Sequence, residues 1–205
     1  MDAYGGEVPW KEISMTAAPI LPERSEWTVD DLDDLPKDLP YELVNGRLIV
    51  PSPTALHQDL CVRLLLALET DCPPDYFLSI DLSMRIDRRN EPRPDVVAIR
   101  REHADRSPVP VDGALLAVEV ISPTSNFRDM YDKAKVYAHA GVSTYWVVDP
   151  LHERITLTEY VLDARGEYEA VTHTDDVFVT ERPWKVSVDL PALTARRRAV
   201  LEREA

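Results

Sequence analysis

The sequence predicts an α/β protein: a mixed β-sheet flanked by helices, with a β-rich C-terminal extension. Three stretches carry that expectation. Leu115–Pro150, LLAVEVISPTSNFRDMYDKAKVYAHAGVSTYWVVDP, runs strand, turn, helix, strand. YELV-NG-RLIV sets Asn45-Gly46 between two apolar runs, the signal for a two-residue hairpin. ITLTEYVLD, EYEAVTHT and VFVTERPW are three short strand-like runs with Gly166 and Asp175-Asp176 at the turns between them.

Taken in order, residues 1–25 are Pro-rich and aperiodic and read as an N-terminal arm. The main domain then covers 26–190, and a basic helical tail follows at 191–205. WTVDDLDDLP is a short helix with Thr28 as its cap and acids in its first turn. The Asn45-Gly46 turn pairs Val44 with Arg47 and sets Glu42 opposite Ile49. Ser52 and Pro53 suit the N-cap and first position of the next helix. Leu56, Leu60, Leu64 and Leu68 recur every fourth residue, so Thr54 to Glu69 is amphipathic, with His57 in its first turn and Cys61 as a small core residue. Cys72-Pro-Pro ends that helix, and DYFLSIDLSMRID alternates like one half-exposed strand. A charged turn, Arg88–Arg93, leads into PDVVAI, a buried strand with Asp95 at its entrance. Val186, Ser187 and Val188 form a last short strand before the tail.

Composition bounds the rest. A chain of 205 residues makes one domain able to bury a substantial core. No apolar run approaches the roughly 20 residues that span a bilayer, and MDAYGGEVPWKE lacks the basic and apolar regions of a signal peptide. The two cysteines, Cys61 and Cys72, make neither a disulfide framework nor a zinc site by themselves. The expected setting is cytoplasmic, with no membrane contact. The net charge is −14, and residues 1–38 hold ten acids against Lys11, Arg24 and Lys37, so half of the excess sits in the leading segment. The body remains acidic, which argues against binding phosphate by electrostatics alone. Arg85, Arg88, Arg89, Arg93, Arg100, Arg101 and Arg106 form the nearest thing to a basic patch.

The chemistry lies in the central stretch. Glu119 stands inside an apolar strand, where an ionised carboxylate costs several kcal/mol, roughly, unless a cation meets it. On the following helix, which starts at Ser125 or Asn126 and stops before Gly141, Arg128, Asp132, Lys135 and His139 share one polar face. Met130, Ala134, Tyr137 and Ala138 form the apolar face. Lys133 lies at the border, one turn from Asp129 and from Tyr137, and is the lysine aimed inward. Asp95 and Glu119 lie on strands separated by one loop, and consecutive strands are usually neighbours. Two carboxylates so placed make a hard-oxygen site suited to Mg²⁺, to which the carbonyl of Val120 or Ile121 could add a ligand. A lysine beside it stabilises developing phosphorane charge or helps deprotonate water. Lys133 as a plain i, i+4 partner of Asp129, and His57 as a packing residue, remain open on this reading.

RPDVV at 93–97 followed by EVIS at 119–122 resembles the PD…(D/E)xK signature of the restriction-endonuclease-like nuclease superfamily. With YELVNGRL, His57, AVEVISPTS, DMYDKAKVY and AGVSTYWVVDP, the ordered set resembles the Uma-two family, from about residue 28 to about residue 165. The superfamily's usual lysine slot, two residues after Glu119, holds Ile121 here. The resemblance implies that Lys133 replaces it from the next helix and that Glu42 is an additional acid near the metal. It implies a Mg²⁺-dependent endonuclease, with Mn²⁺ as substitute, in which Asp95, Glu119 and Lys133 are catalytic and His57, Asp129 and Tyr137 accessory. It further implies a DNA substrate in preference to RNA, and a homodimer, to which exposed C-terminal aromatics were expected to contribute. The rival reading is a nuclease-fold protein that binds nucleic acid or a protein partner without cutting it.

Overall fold

The computed structural model describes residues 24–36, 40–123 and 127–202, the side chains of 127–129 excepted. The expected N-terminal arm, the caps Ser125 and Asn126 and the Asp129 side chain therefore lie outside the described residues, apart from the arm's last two. The elements run β1 (Glu42–Val44), β2 (Arg47–Ile49), α1 (Ala55–Glu69), β3 (Tyr76–Ile80), β4 (Met84–Arg85), β5 (Val96–Arg100), β6 (Val109–Pro110), β7 (Ala114–Val120), α2 (Phe127–His139), β8 (Thr144–Asp149), β9 (Thr156–Leu162), β10 (Tyr168–Thr174), β11 (Val177–Thr180), β12 (Val186–Asp189) and α3 (Leu190–Leu201).

Six strands form the central sheet in the order β10-β9-β8-β7-β5-β3. Every neighbouring pair is antiparallel except β7 and β8, which are parallel because α2 carries the chain back between them. The sheet is thus mixed, with α1 on one face and α2 on the other. Leu60, Cys61, Leu64 and Leu68 of α1 bury against Val96, Ala98, Val118 and Trp146, and the β11–β12 hairpin and Leu190 of α3 extend that core. On the opposite face Tyr137 packs with Val97, Ile99, Ala117 and Tyr145. The C-terminal runs are accordingly less of an extension than expected: β9 and β10 continue the central sheet, and β11–β12 stands apart as a hairpin.

The hairpin register is the expected one, Val44 against Arg47 and Glu42 against Ile49. Asn45 at φ 51° and Gly46 at φ 75° supply the paired positive dihedrals of a type I′ turn. Thr28 caps a short 3₁₀ turn, Val29–Asp34, its N–H and hydroxyl both donating to Asp31. Trp27, Val29, Leu32 and Leu35 of that segment close over Leu43 and pin β1 in place.

Three expectations need correction. Thr54 caps α1, its hydroxyl accepting from the His57 N–H at 3.2 Å. Ser52 and Pro53 precede the cap, since only the Thr54 oxygen reaches the third helical N–H. DYFLSIDLSMRID is two strands, because Asp81 at φ 49° turns the chain out of the sheet and sends β4 to pair with β6. Among the C-terminal aromatics, Phe178 and Trp184 are buried and provide no exposed surface for a homodimer; Tyr145 and Trp146 also lie in the core. No described helix is long and apolar enough to cross a membrane.

Leu64 is fully buried in the α1 core, while Leu66 on the same helix is 47% exposed. Leu64→Ala should cost about 2–5 kcal/mol of unfolding free energy, the range for buried leucines. Leu66→Ala should stay within about 0.5 kcal/mol of the parent. Urea denaturation of the two variants checks the layer assignment.

Candidate active site

The β5–β7 ladder ends with Val96 against Val118; Asp95 immediately precedes β5, and Glu119 immediately follows Val118 on β7. Asp95 is anchored twice: Oδ2 accepts from the Val120 N–H at 2.6 Å, and Oδ1 lies 3.0 Å from His57 Nε2. Val120 therefore meets the site through its N–H. Glu119 is 3% exposed and fully partnered, with Oε2 accepting from Lys133 Nζ at 3.0 Å and Oε1 from the Tyr137 hydroxyl at 2.8 Å. Lys133 Nζ lies 2.8 Å from Glu42 Oε2 as well, and Glu42 also accepts from the Arg93 N–H.

The helical wheel explains how one lysine is selected. Lys133 is 7% exposed, whereas Lys135 is exposed and rests over the Tyr131 ring. Strand β1 meets α2, so Glu42 closes the cluster from the side opposite Glu119. The structure brings together Asp95, Glu119, Lys133, Glu42, His57 and Tyr137. All but Tyr137 line a cavity of about 370 Å³, together with Cys61.

Sequence reasoning missed three features. Cys61 belongs to the core as expected and also lines this cavity. Arg93 lines it too, clamped by Asp81 through its side chain at 2.8 Å and its carbonyl at 2.7 Å. Val120 contributes the N–H that orients Asp95. RPD was the available signal for Arg93; nothing local marks Asp81, since its left-handed backbone is visible only in the fold.

With all three carboxylates ionised, the single ammonium would leave the cluster two negative charges in excess. Burial pushes the Glu119 carboxyl up to about 8, with Asp95 and Glu42 adding to the rise and Lys133 opposing it. Burial acts downward on the Lys133 ammonium, but Glu119 and Glu42 outweigh it and raise its pKa above the ordinary lysine value. Lys133 stays charged. A divalent cation has the charge and hard-oxygen preference that this donor set lacks a partner for, so the residues fit one.

A family model described as "Uma2: Putative restriction endonuclease" matches residues 29–196. The chain belongs to the Uma2 family. No curated protein matches it. The fold is similar to a solved structure titled a putative nuclease belonging to DUF820 from Anabaena variabilis, at a TM-score of 0.64 and 16% identity, covering 82% of this chain and 97% of that one. The match begins within the capped 3₁₀ turn and ends inside α3, so this Uma2 chain carries the hairpin, the sheet and both flanking helices within the family region.

A pH dependence follows from Glu119. Its folded-state pKa of about 8 lies above the ordinary 4.5, so the folded protein holds this proton more tightly than the unfolded chain does. That contribution is fully present below about pH 4.5 and is lost as pH rises through about 8. In metal-free buffer, melting temperature should fall from pH 5 to pH 9, and Glu119→Gln should flatten the slope. Thermal melts across that window, with parent and variant compared at each pH, test the sign.

Proposed function

We propose that this chain is a Mg²⁺-dependent endonuclease that hydrolyses phosphodiester bonds of DNA, with Mn²⁺ able to substitute. The single observation that carries the reading is the Lys133 ammonium held between Glu42 and Glu119 beside Asp95. Family membership and the nuclease fold of the structural neighbour support it.

Asp95 and Glu119 would hold the metal, with Glu42 assisting. Bound Mg²⁺ supplies charge neutralisation at the phosphate and lowers the pKa of water. Asp95 enters that role pre-oriented, since the Val120 N–H and His57 hold its two oxygens in place. Tyr137 fixes Glu119 through a donated hydrogen bond and leaves Lys133 to reach both carboxylates. Because the flanking carboxylates keep Lys133 protonated, it serves as a fixed positive charge: it positions the attacking water and meets negative charge developing on the phosphate, and it does not act as a general base. His57 positions Asp95. A two-fold homodimer belongs to the same reading, since cutting both strands calls for two such sites.

The acidic composition, at net −14, favours the second reading, a chain that binds nucleic acid or a protein partner without cutting. Lys133→Ala should lower Mg²⁺-dependent cleavage of double-stranded DNA by about 100-fold or more while divalent binding persists in calorimetry. Lys135→Ala should leave cleavage unchanged. Equal effects of the two substitutions, or nucleic-acid binding with no cleavage by the parent, would decide for the second reading.

Metal binding has its own test. Mg²⁺ or Mn²⁺ at 100 times its dissociation constant should stabilise the fold by about 2.7 kcal/mol. Asp95→Asn and Glu119→Gln should each abolish that gain in thermal melts. A gain that survives both would remove the carboxylate pair from the metal site.

A further inference from the structure

Beside the carboxylate cluster stands a donor set of different chemistry. His57 and Cys61 are four residues apart on α1 and so share a helix face, one turn apart. Asp95 approaches them from the entrance of β5. One ligand atom from each of the three lies within 4.8 Å of the others, and His57 Nε2 is 3.0 Å from Asp95 Oδ1. Ligand atoms around a tetrahedral zinc stand roughly 3.5 Å apart, given bond lengths of about 2.0–2.3 Å.

Two further observations point to a ligand. All three residues line the 370 Å³ cavity, so a fourth coordination position would open onto it. His57 Nδ1 is buried without a hydrogen-bond partner among the described residues, and the Asp95 carboxylate, an acceptor, holds the ring proton on Nε2, so the Nδ1 lone pair is unclaimed. We propose that His57, Cys61 and Asp95 form a three-ligand site for a thiophilic divalent cation of the Zn²⁺ and Co²⁺ class. A sulfur and an imidazole nitrogen select such ions over Mg²⁺, which takes oxygen ligands. Binding proceeds with loss of the thiol proton to solvent, since a thiol coordinated to such an ion is deprotonated.

Glu119, Glu42 and Lys133 have no part in this position. Asp95 is common to it and to the proposed Mg²⁺ arrangement, so a zinc ion here draws Asp95 away from Glu119 and antagonises Mg²⁺-dependent cleavage. That consequence rests on the nuclease reading. The site itself does not, and its test needs no substrate.

Co²⁺ alone, titrated into the full chain under reducing conditions, reads the site directly. A thiolate-to-cobalt charge-transfer band should appear in the near ultraviolet, with the stronger visible bands of tetrahedral cobalt, and Zn²⁺ should displace both. The chain has two cysteines, both free, so assignment is direct. Cys61→Ser should abolish the charge-transfer band, while Cys72→Ser and Glu119→Gln should retain it. His57→Gln keeps the thiol and should weaken Co²⁺ binding at least about 10-fold; it decides the matter if Cys61→Ser fails to fold by circular dichroism. No charge-transfer band in the parent, its loss in Cys72→Ser or Glu119→Gln, or unchanged affinity in His57→Gln would each overturn the site.

Discussion

The arrangement depends on one buried ammonium. Lys133 lies 2.8 Å from Glu42 and 3.0 Å from Glu119, and both acids are nearly inaccessible to solvent. Burying such carboxylates without a cation would cost several kcal/mol each, in rough terms. The hairpin, the central strand and α2 are therefore tied by the same charge, and any displacement of α2 would leave two acids without their cation. A buried ion pair is weak evidence for stability, since apolar residues of similar volume often do as well. Its retention at a cavity mouth, with a third acid alongside, speaks for use.

The crossover that makes the sheet mixed is also what delivers this lysine. Strands β7 and β8 are parallel, so the chain must leave the end of β7 and return along the sheet, and α2 fills that return. Its inward face presents Tyr137 and Lys133 to the face carrying Glu119. The superfamily slot at Ile121 lies beyond the end of β7, where its N–H is taken by the Val148 carbonyl. The helix thus carries the fixed charge that the strand end does not.

Asp95 sits where two chemistries meet. Toward Glu119 and Glu42 the donors are all oxygen, and toward α1 they include the His57 imidazole and the Cys61 thiol. Burial pushes the Cys61 thiol up, with Asp95 and Glu119 adding to the shift, so without a cation the sulfur remains protonated. Which cation this cavity would take, on either proposal, is then a question of donor softness as much as of charge.

Local pattern determined a good deal. The Asn45-Gly46 turn admits one register and so placed Glu42 opposite Ile49. The fourfold leucine repeat set the buried face of α1, and the wheel of α2 separated Lys133 from Lys135, because both depend on periodicity within one element. That the strands of Asp95 and Glu119 lie side by side followed from the tendency of strands close in sequence to pair. What the tertiary structure alone decided involves partners distant in sequence. Glu42 reaches Lys133 because β1 packs against α2, an element distant from it in sequence. The left-handed turn at Asp81, held by Arg93, splits a strand that alternation alone would have continued. The place of Cys61 at the cavity wall depends on how α1 lies across the sheet. Periodicity says which face of an element is buried, and only packing says what that face is buried against.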